Sequence, residues 1–592
     1  MSAEQTSMNQ LITDNIDVWT STVKTKSASG RGSSKKRELY GVKKLRELIL
    51  ELAVRGKLVP QDSNDEPASV LLERIAEEQL QLVKEKKIKK PKKLTEITPE
   101  EKLFDLPEGW AWERLGNIGD TNIGLTYSPK DVGDTGTPVL RSANIQKNRI
   151  DLKDLIRVNT EVKNSAYVGR GDLLICARNG SKALVGKTAK IGELNEPMAF
   201  GAFMAIFRSQ INSYVEVFLN SPVYRRNLEG VSTTTINQIT QSNLRATLCA
   251  VPPFSEQHRI VAKVDELMTL CDQLEQQTET SIEAHQVLVT TLLDTLTNSA
   301  DADELMQNWA RISEHFDTLF TTEASIDQLK QTILQLAVMG KLVPQDPNDE
   351  PAAKLLESIA EEKAQSIKDK KIKKQKALPP ITDDEKPFEL PNGWEWCRVG
   401  DLSLNSESGW SPKCLDTPRE TGKWGVLKVS AVTWGIYNPD ENKELPSALE
   451  PREQIEVKAG DFLISRANTA ELVAKAVIVP SDSPEKLMMS DKIIRFRFSE
   501  TLEANYINLF NNSGFARDYY AEVAGGTSSS MKNVSRVQIN NLVVALPPKE
   551  EQNKIVCKVA AFFTLCDQLK VQLKESQTTQ LYLTDAIAEQ AV

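Results

Sequence analysis

Apolar residues recur in two stretches of the chain at alternating spacings of four and three positions. The first stretch consists of Ile260, Val264, Leu267, Cys271 and Leu274. The second consists of Ile555, Val559, Phe562, Cys566, Leu569 and Leu573. This heptad spacing is typical of a coiled-coil helix. It predicts one helix over residues 255–298, about 65 Å long at ~1.5 Å per residue, and an antiparallel pairing of the two apolar stripes.

Two other stretches have helical spacing, and both end at the same seven letters. Their apolar residues fall on one helical face: Leu45, Leu48, Ile49 and Leu52 in the first stretch, and Leu329, Ile333 and Leu336 in the second. The heptapeptide GKLVPQD follows, at Gly56–Asp62 and at Gly340–Asp346. Each glycine is placed to end its helix in a left-handed conformation, and each proline prevents continuation. We expect a stop-and-turn, with Asp65 and Asp349 as N-caps of the next helix.

Long segments of the chain occur twice, around two dissimilar inserts. Leu45–Glu78 matches Leu329–Glu362 at a shift of 284 residues, and Pro252–Glu275 matches Pro547–Lys570 at a shift of 295. The regions between them match far less well, and the difference between the two shifts makes the second insert 11 residues longer. Similar helical frames around dissimilar inserts favour one scaffold that presents two different recognition surfaces.

The inserts contain alternating apolar runs bounded by turn residues, which is the pattern of short strands. Gly171–Gly180 resembles Gly460–Thr469, and each predicts a buried strand followed by a loop that contains Arg and Asn. Arginine suits guanine edges and asparagine suits adenine edges, while hydroxyl-rich segments suit phosphates. We nominate as DNA contacts Arg141, Asn144, Gln146, Arg178, Asn179, Thr233, Lys428, Arg466, Asn468, Ser528 and Lys532. A solvated polar loop would contain the same residue types.

The composition argues against some classes of function but does not choose between the remaining ones. The 592-residue chain has a net charge of −9, which gives no electrostatic reason to expect nucleic-acid binding. Its seven cysteines and three histidines form no metal-ligand pattern. The sequence contains neither an apolar run of about 18 residues nor a signal-peptide pattern, so we expect a cytoplasmic location and no membrane association.

Three motifs that point to enzymes fail when their spacing or residues are compared with the chemistry. Gly180–Thr188 resembles a phosphate loop, but it has one residue too many between its glycines. Val251–Phe254 resembles a loop of adenine methyltransferases, but Val251 stands where a polar residue would hold the target amine. Pro439–Lys443 crowds nuclease-like acidic residues into one segment. We therefore expect no catalysis, no bound cofactor and no metal site in this chain.

The frame segments closely resemble the specificity (S) subunit of type I restriction-modification systems, and most of all its IB subfamily. The resemblance is carried by Glu38–Ile75, Leu106–Gly116, Pro252–Glu275 and their repeats. Together with the patterns above, it predicts an α+β fold. Two globular, strand-rich target recognition domains would be joined by long antiparallel coiled-coil helices in a pseudo-twofold internal repeat.

We divide the chain accordingly into six regions. Residues 1–40 would be a flexible N-terminal segment with room for a docking helix, and residues 41–105 the N-terminal conserved helical region. Residues 106–253 would be the first recognition domain, and residues 254–389 the central conserved region with its long helix. Residues 390–548 would be the second recognition domain, followed by a conserved helix over 549–592.

The resemblance also implies partners. Each insert would read one half of a bipartite, asymmetric site in double-stranded DNA. Two modification (M) subunits would supply S-adenosylmethionine chemistry, and restriction (R) subunits would use ATP and Mg. The paired helices would set the half-site spacing and dock the M subunits through the seam residues Ile260, Val264, Leu267, Leu274, Ile555, Val559, Phe562 and Leu569. The alternative is a non-catalytic coiled-coil scaffold whose inserts bind proteins.

Overall fold

The structure is a computed structural model that describes residues 8–26, 36–85, 93–229, 237–300, 302–433, 435–528 and 531–592. Contacts divide the chain into two compact units. Unit 1 holds the described residues up to Ser281 together with Gln577–Val592, and unit 2 holds Ile282–Ser576. Each unit therefore contains one insert and one of the two heptad stretches.

The helices of unit 1 begin with two short segments. They are α1 (Met8–Asp14), α2 (Ile16–Ser21), α3 (Tyr40–Val54), α4 (Ala68–Lys84), α5 (Leu115–Ile118), α6 (Asn212–Asn220), α7 (Pro222–Glu229), α8 (Gln241–Ala246) and the first part of α9 (Phe254–Thr297). Trp19 of α2 is fully buried. Most of the predicted linker after α2 lies outside the described residues.

The strands of unit 1 are short, as their alternating pattern predicts. They are β1 (Val23–Lys26), β2 (Lys36–Leu39), β3 (Ala111–Arg114), β4 (Asp120–Ile123), β5 (Val132–Gly133), β6 (Thr137–Leu140), β7 (Ile145–Gln146), β8 (Arg149–Ile150), β9 (Ile156–Val158), β10 (Leu173–Cys176), β11 (Thr188–Lys190), β12 (Ala199–Phe200), β13 (Met204–Arg208) and β14 (Leu248–Val251). One antiparallel sheet has the order β11-β10-β13-β4, and a mixed sheet has the order β12-β6-β9-β5. Strand β3, which opens the insert, pairs with β14, which closes it.

Unit 2 begins with the end of α9 and continues with a second set of helices. They are α10 (Ala302–Glu314), α11 (Phe316–Leu319), α12 (Glu323–Val338), α13 (Ala352–Lys368), α14 (Val399–Leu402), α15 (Ala504–Asn512), α16 (Gly514–Val523), α17 (Arg536–Asn541) and α18 (Lys549–Ala591), whose last turns belong to unit 1. Helices α12 and α13 carry the second copy of the frame that α3 and α4 carry in unit 1.

The strands of unit 2 reproduce the sheet order of unit 1. They are β15 (Glu395–Arg398), β16 (Ser403–Ser408), β17 (Gly425–Leu427), β18 (Asn442–Glu444), β19 (Phe462–Ser465), β20 (Ala467–Asn468), β21 (Ala476–Ile478), β22 (Leu487–Met488), β23 (Ile493–Phe498), β24 (Gly525–Ser528), β25 (Met531–Asn533) and β26 (Val543–Leu546). The antiparallel order β16-β23-β19-β21 corresponds to β4-β13-β10-β11, and β15 pairs with β26 as β3 pairs with β14. The two inserts therefore share a fold although their sequences diverge.

The heptad stretches form two long helices, α9 with 44 residues and α18 with 43. In unit 1 the start of α9 and the end of α18 share a hydrophobic core, to which Val264 and Ala588 contribute. In unit 2 the end of α9 and the start of α18 share another, to which Leu293 and Val559 contribute. In each unit one helix start meets the other helix end, as in an antiparallel pair, and the predicted α+β fold is confirmed. The two heptad stripes lie in different cores, so the predicted pairing of one stripe with the other is wrong.

The apolar stripes have a further partner that the heptad pattern did not predict. In unit 1 Arg46 of α3 donates to the Asp272 carboxylate of α9 at 2.6 Å, and the α3 residues Leu45 and Leu48 lie in the same core as the α9 stripe. In unit 2 Lys330 of α12 donates to Asp567 of α18 at 2.6 Å. Each stripe therefore packs against its own frame helix as well, because a three-helix arrangement buries more of its apolar face than a pair does.

The heptapeptide GKLVPQD ends its helix in the predicted manner. After α3 the Lys57 N–H donates to the Leu52 carbonyl at 2.9 Å and the Gly56 N–H donates to the Ala53 carbonyl at 3.4 Å, which is the Schellman pattern. Gly56 has a φ of +70°, and Gly340 in the second copy has the same value. A Cβ on Gly56 would lie 2.5 Å from the Pro107 ring, so the position requires glycine for space as well as for conformation.

The predicted N-cap roles of Asp65 and Asp349 are wrong. Helices α4 and α13 have Pro67 and Pro351 at their N-cap positions, without side-chain capping. The Asp65 carboxylate instead accepts a hydrogen bond from Arg259 of α9 at 2.6 Å, and Lys554 of α18 donates to Asp349 at 3.2 Å. A short-range pattern cannot reveal this competition, because the cations come from a distant part of the chain.

Candidate nucleic-acid interface

A buried junction attaches each insert to the start of a long helix. In unit 1 the indole N–H of Trp110 donates to Glu256 at 2.9 Å, and the Gln61 amide donates to the same carboxylate at 2.8 Å. Gln61 belongs to the heptapeptide, Trp110 precedes β3 and Glu256 lies in the first turn of α9. Burial raises the pKa of the Glu256 carboxyl, and the two hydrogen bonds oppose that rise.

Unit 2 builds the same junction from the second copy of each motif. Trp394 donates to Glu551 at 2.9 Å and Gln345 donates to it at 3.0 Å. The repeated heptapeptide is thus part of the joint between insert and helix. Because the two joints have matching geometry, each insert is attached to its own long helix in the same way, and corresponding faces of the two inserts can be compared.

One of these corresponding faces lies where the loop after the buried strand β10 or β19 meets the segment that precedes α8 or α17. In unit 1 Arg178 forms an antiparallel bridge with Gln238. In unit 2 β20 pairs with β25, so that Asn468 lies opposite Lys532. We call the residues Arg178, Asn179, Phe203, Asn237 and Gln238 edge 1, and the residues Arg466, Asn468, Lys492, Lys532 and Asn533 edge 2.

Edge 1 combines an exposed guanidinium with an exposed aromatic ring. The Arg178 side chain lies over the ring of Phe203, 5.2 Å from the ring centroid. Phe203 is 60% exposed. The Asn179 amide donates to the Ser142 hydroxyl at 3.2 Å, and its oxygen accepts the Ser181 N–H at 3.0 Å. Asn179 therefore shapes the loop, while Arg178 faces solvent.

Edge 2 has the same backbone geometry with more positive charge. The Arg466 N–H donates to the Lys492 carbonyl at 2.7 Å, as the Ala177 N–H donates to the Phe203 carbonyl at 3.0 Å. In this register Arg466 corresponds to Ala177, and Arg178 corresponds to Ala467. The Asn468 amide donates to the Thr433 hydroxyl at 3.0 Å, which repeats the contact of Asn179. The three cations of this edge are Arg466, Lys492 and Lys532. Lys492 also pairs with Asp491 at 3.6 Å, so this edge combines three cations with one adjacent carboxylate.

The other nominated residues lie around a 3₁₀ turn that follows β6 or β17. Asn144 is only 1% exposed, and its amide donates to the carbonyls of Asp151 and Asp154. Arg141 donates to the Asp154 carbonyl, Gln146 donates to the Ala143 carbonyl, and Lys428 pairs with Glu441. Asn144 is therefore unavailable to a base in this conformation, since its hydrogen bonds are used inside the loop. Thr233 lies outside the described residues, and Ser528 is described only as the last residue of β24.

The seam residues nominated for docking are covered by the units' own cores. Ile260, Val264, Leu267 and Leu274 are buried in unit 1, Ile555 and Val559 are buried in unit 2, and Phe562 and Leu569 pack against the core of unit 2. Most of their surface is therefore occupied by their own unit. Their roles in docking and in setting half-site spacing stay predictions.

Sequence reasoning missed Phe203 and Lys492, which occupy the same place in the two inserts. Each precedes a corresponding strand, β13 or β23, and neither stretch matches a recognition motif. The equivalence of Phe203 and Lys492 follows from aligning the paired strands of the two inserts, because Cys176 pairs with Met204 as Ser465 pairs with Ile493. This register appears only once the strands are paired.

The described residues include no group of three or more His, Cys, Asp or Glu side chains placed to hold a metal. None of the helices in the described ranges combines the length and apolar character needed to span a bilayer. The fold and the two edges define a binding protein with a duplicated frame and two non-identical recognition domains.

Comparison with known proteins identifies the family. Residues 107–284 match the family model described as the type I restriction modification DNA specificity domain. The chain is 47% identical to the type I restriction enzyme EcoEI specificity subunit of Escherichia coli and 41% identical to the EcoAI specificity subunit of the same organism. Both alignments cover 99% of this chain and 100% of the relative. The chain belongs to the family of type I restriction-modification specificity subunits, which are non-catalytic recognition components.

The fold has a counterpart among solved structures. One chain, from work on complex assembly and conformational transition of the type I R-M system, aligns over 82% of this chain and 98% of its own length, with a TM-score of 0.50 and 16% identity. At this identity the likeness concerns the fold alone. Membership of the IB subfamily stays a prediction.

Proposed function

We propose that this chain reads a bipartite, asymmetric DNA sequence, one half with each insert. The observation that carries the proposal is the pair of edges, which have the same backbone geometry and different side chains. Two identical edges would read a palindrome, whereas edge 1 with its aromatic ring and edge 2 with its three cations call for different bases. Membership of the specificity-subunit family supports DNA as the ligand.

Arg178 and Arg466 are the proposed base-reading residues of the two edges. Both side chains are exposed, and a guanidinium can donate two parallel hydrogen bonds to the O6 and N7 atoms of guanine in the major groove. Lys492 and Lys532 would contact phosphates or base acceptors beside Arg466. Asn179 and Asn468 would support the loops, and Arg141, Gln146, Lys428, Thr233 and Ser528 remain secondary candidates for backbone contacts.

The proposed docking sites for M subunits are exposed apolar pairs on the long helices. Val287 and Leu288 of α9 are 66% and 50% exposed, and Tyr582 and Leu583 of α18 are 72% and 46% exposed. The two pairs are separated by 295 residues, the shift that relates the two helices. Large apolar side chains at matching exposed positions are typical of a surface that a partner covers. Two equivalent pairs fit two copies of one partner.

The partners would supply the chemistry that this chain lacks. M subunits would bring S-adenosylmethionine and methylate adenine, and R subunits would bring ATP-dependent translocation and cleavage with Mg. The assembly would work in the cytoplasm, where the chromosome is accessible. The long helices would set the distance between the half-sites that the two inserts read.

Sequencing of methylated adenines in cells that express this chain with its M subunit tests the proposal. We expect one bipartite motif with two different halves and a constant gap. Arg178→Ala should relax or abolish recognition of one half, and Arg466→Ala that of the other, each at a cost of about 1–3 kcal/mol. Arg170→Ala, which removes an exposed arginine paired with Glu193, is the matched control and should change neither half. A palindromic motif, or methylation without a motif, would contradict the proposal.

A further inference from the structure

Phe203 is an exposed aromatic side chain held on a well-bonded turn. The Ala202 N–H donates to the Leu125 carbonyl at 2.9 Å, and the Met204 N–H donates to the Gly201 carbonyl at 2.8 Å. The neighbouring strand β4 places Ile123, which is 54% exposed, opposite Ala205. Two large apolar side chains on neighbouring segments thus face solvent, although exposure of such groups costs free energy.

The guanidinium of Arg178 lies against this apolar site. It rests over the Phe203 ring, and the backbone N–H of Arg178 donates to the Phe203 carbonyl. A guanidinium stacked on a ring loses less conformational freedom when it binds than a free one does. Edge 1 therefore presents the hydrogen-bond donors of a pre-positioned guanidinium directly beside an apolar surface.

The equivalent position in the other insert has the opposite character. The Lys492 carbonyl accepts the Arg466 N–H, as the Phe203 carbonyl accepts the Ala177 N–H, and the Lys492 side chain is 52% exposed. One backbone position thus carries an apolar ring in the first insert and a cation in the second. A position that only supported the fold would not need to differ in this way.

We infer that Phe203 is a specificity-determining residue that contacts the 5-methyl group of a thymine in the first half-site, with Arg178 reading an adjacent guanine. Thymine presents the only methyl group of the four bases in the major groove, and apolar side chains are its usual contacts. The cation at Lys492 suits acceptor atoms instead, so the same position in edge 2 would not read a methyl group. This inference rests on the proposed function and specifies one base of the first half-site and the methyl group by which it is recognised.

The experiment measures binding of the chain, assembled with its M subunit, to synthetic duplexes that contain its methylation motif. Each thymine of the first half-site is replaced in turn by deoxyuridine, which lacks only the 5-methyl group. We expect one position at which the wild-type complex binds about fourfold more weakly, the value for one buried methyl-sized group. Phe203→Ala should weaken binding to the thymine duplex by at least that factor and should bind the thymine and deoxyuridine duplexes equally.

Lys492→Ala is the matched control, since it alters the equivalent position of the other insert. It should keep the deoxyuridine effect in the first half-site and weaken binding through the second half-site. A first half-site without thymine would overturn the inference, and so would a deoxyuridine effect that persists in Phe203→Ala. A third outcome would also overturn it: wild type binds thymine and deoxyuridine duplexes equally at every position, and Phe203→Ala binds both more weakly by the same factor. That result would indicate that Phe203 stacks between bases.

Failure of this inference is distinguishable from failure of the proposed function. If the wild-type complex selects a bipartite sequence but ignores every thymine methyl group, only the role of Phe203 is lost. If the complex selects no sequence at all, the proposed function is lost as well. Because Phe203 is exposed, the alanine variant should fold, and thermal unfolding of the variant checks this directly.

Discussion

Arg398 is 3% exposed and donates two parallel hydrogen bonds to Glu385, at 2.9 and 2.8 Å. Its remaining donors contact the carbonyls of Pro379, Pro380 and Asn541. In the first copy Arg114 also pairs with Glu101, but one guanidinium nitrogen donates to both carboxylate oxygens at 2.9 Å. The buried arginine thus links the segment before each insert to the end of the helix, α8 or α17, that precedes the closing strand. A charge-assisted pair of this kind is stronger than a neutral hydrogen bond and more specific in its geometry.

Replacement of Glu385 by glutamine should produce a pH-dependent loss of stability. The hydrogen bonds from Arg398 hold the pKa of Glu385 below its ordinary value. Because the folded pKa is lower than the unfolded one, the pair contributes stability above the ordinary glutamate pKa of about 4.3, and that contribution is lost as pH falls through the folded pKa. The urea midpoints of wild type and Glu385→Gln should differ at pH 7 and converge once the pH falls below the lowered pKa of folded Glu385.

Asp384→Asn is the control for this prediction, because it removes a neighbouring carboxylate that makes no contact with Arg398. It should leave the urea midpoint nearly unchanged at both pH values. A difference between wild type and Glu385→Gln that stays constant down to low pH would show that the ion pair is not its cause.

Replacement of Gly56 by alanine should destabilise unit 1 for two separable reasons. The left-handed conformation costs a non-glycine residue about 1–2 kcal/mol, and the new Cβ would also lie 2.5 Å from Pro107. Gly171→Ala separates the two, because Gly171 has a φ of +85° with nothing within 4 Å of its Cβ position. We expect Gly171→Ala to lose only the conformational part, and Gly56→Ala to lose clearly more in urea unfolding. Equal losses would show that the contact with Pro107 relaxes freely.

Lengthening both long helices should lengthen the gap in the DNA motif. Four residues inserted after Ser281 in α9 and four after Ser576 in α18 add ~6 Å to each helix. If the helices set the spacing, the preferred gap should increase by about one or two base pairs at ~3.4 Å per base pair. Methylation sequencing reads the gap directly. A four-residue insertion at the exposed Asp482 is the control and should leave the gap unchanged; an unchanged gap in the helix variant would mean that the helices do not act as the ruler.

Charged substitutions in the exposed helix pairs should remove M subunits one at a time. Val287→Glu and Tyr582→Glu each place a carboxylate in one proposed docking site, where its desolvation would oppose binding. Native mass spectrometry should show two M subunits on the wild-type chain, one on each single variant and none on the double variant. Leu80→Glu, at a 61% exposed position of α4, should retain both. Loss of both copies from one single variant would show that the sites are not equivalent.

The local features of this protein could be predicted from sequence because they depend on neighbours in the chain. The spacing of apolar residues predicted a helix over residues 255–298, and α9 occupies Phe254–Thr297. The glycine of GKLVPQD predicted a helix end, and Gly56 adopts the left-handed conformation there. The repeat of frame segments identified the duplicated architecture. Residues close in sequence determine these patterns, so no tertiary information was needed.

The recognition surface depended on contacts that the sequence does not display. Asn144 and Arg178 are both polar loop residues, yet Asn144 is buried in a hydrogen-bonded turn and Arg178 is exposed. Phe203 and Lys492 became equivalent only when paired strands aligned them. Sequence by itself determined the duplicated helical frame and the family of this protein, whereas the tertiary structure decided which side chains face solvent, because exposure follows from packing between residues far apart in the chain.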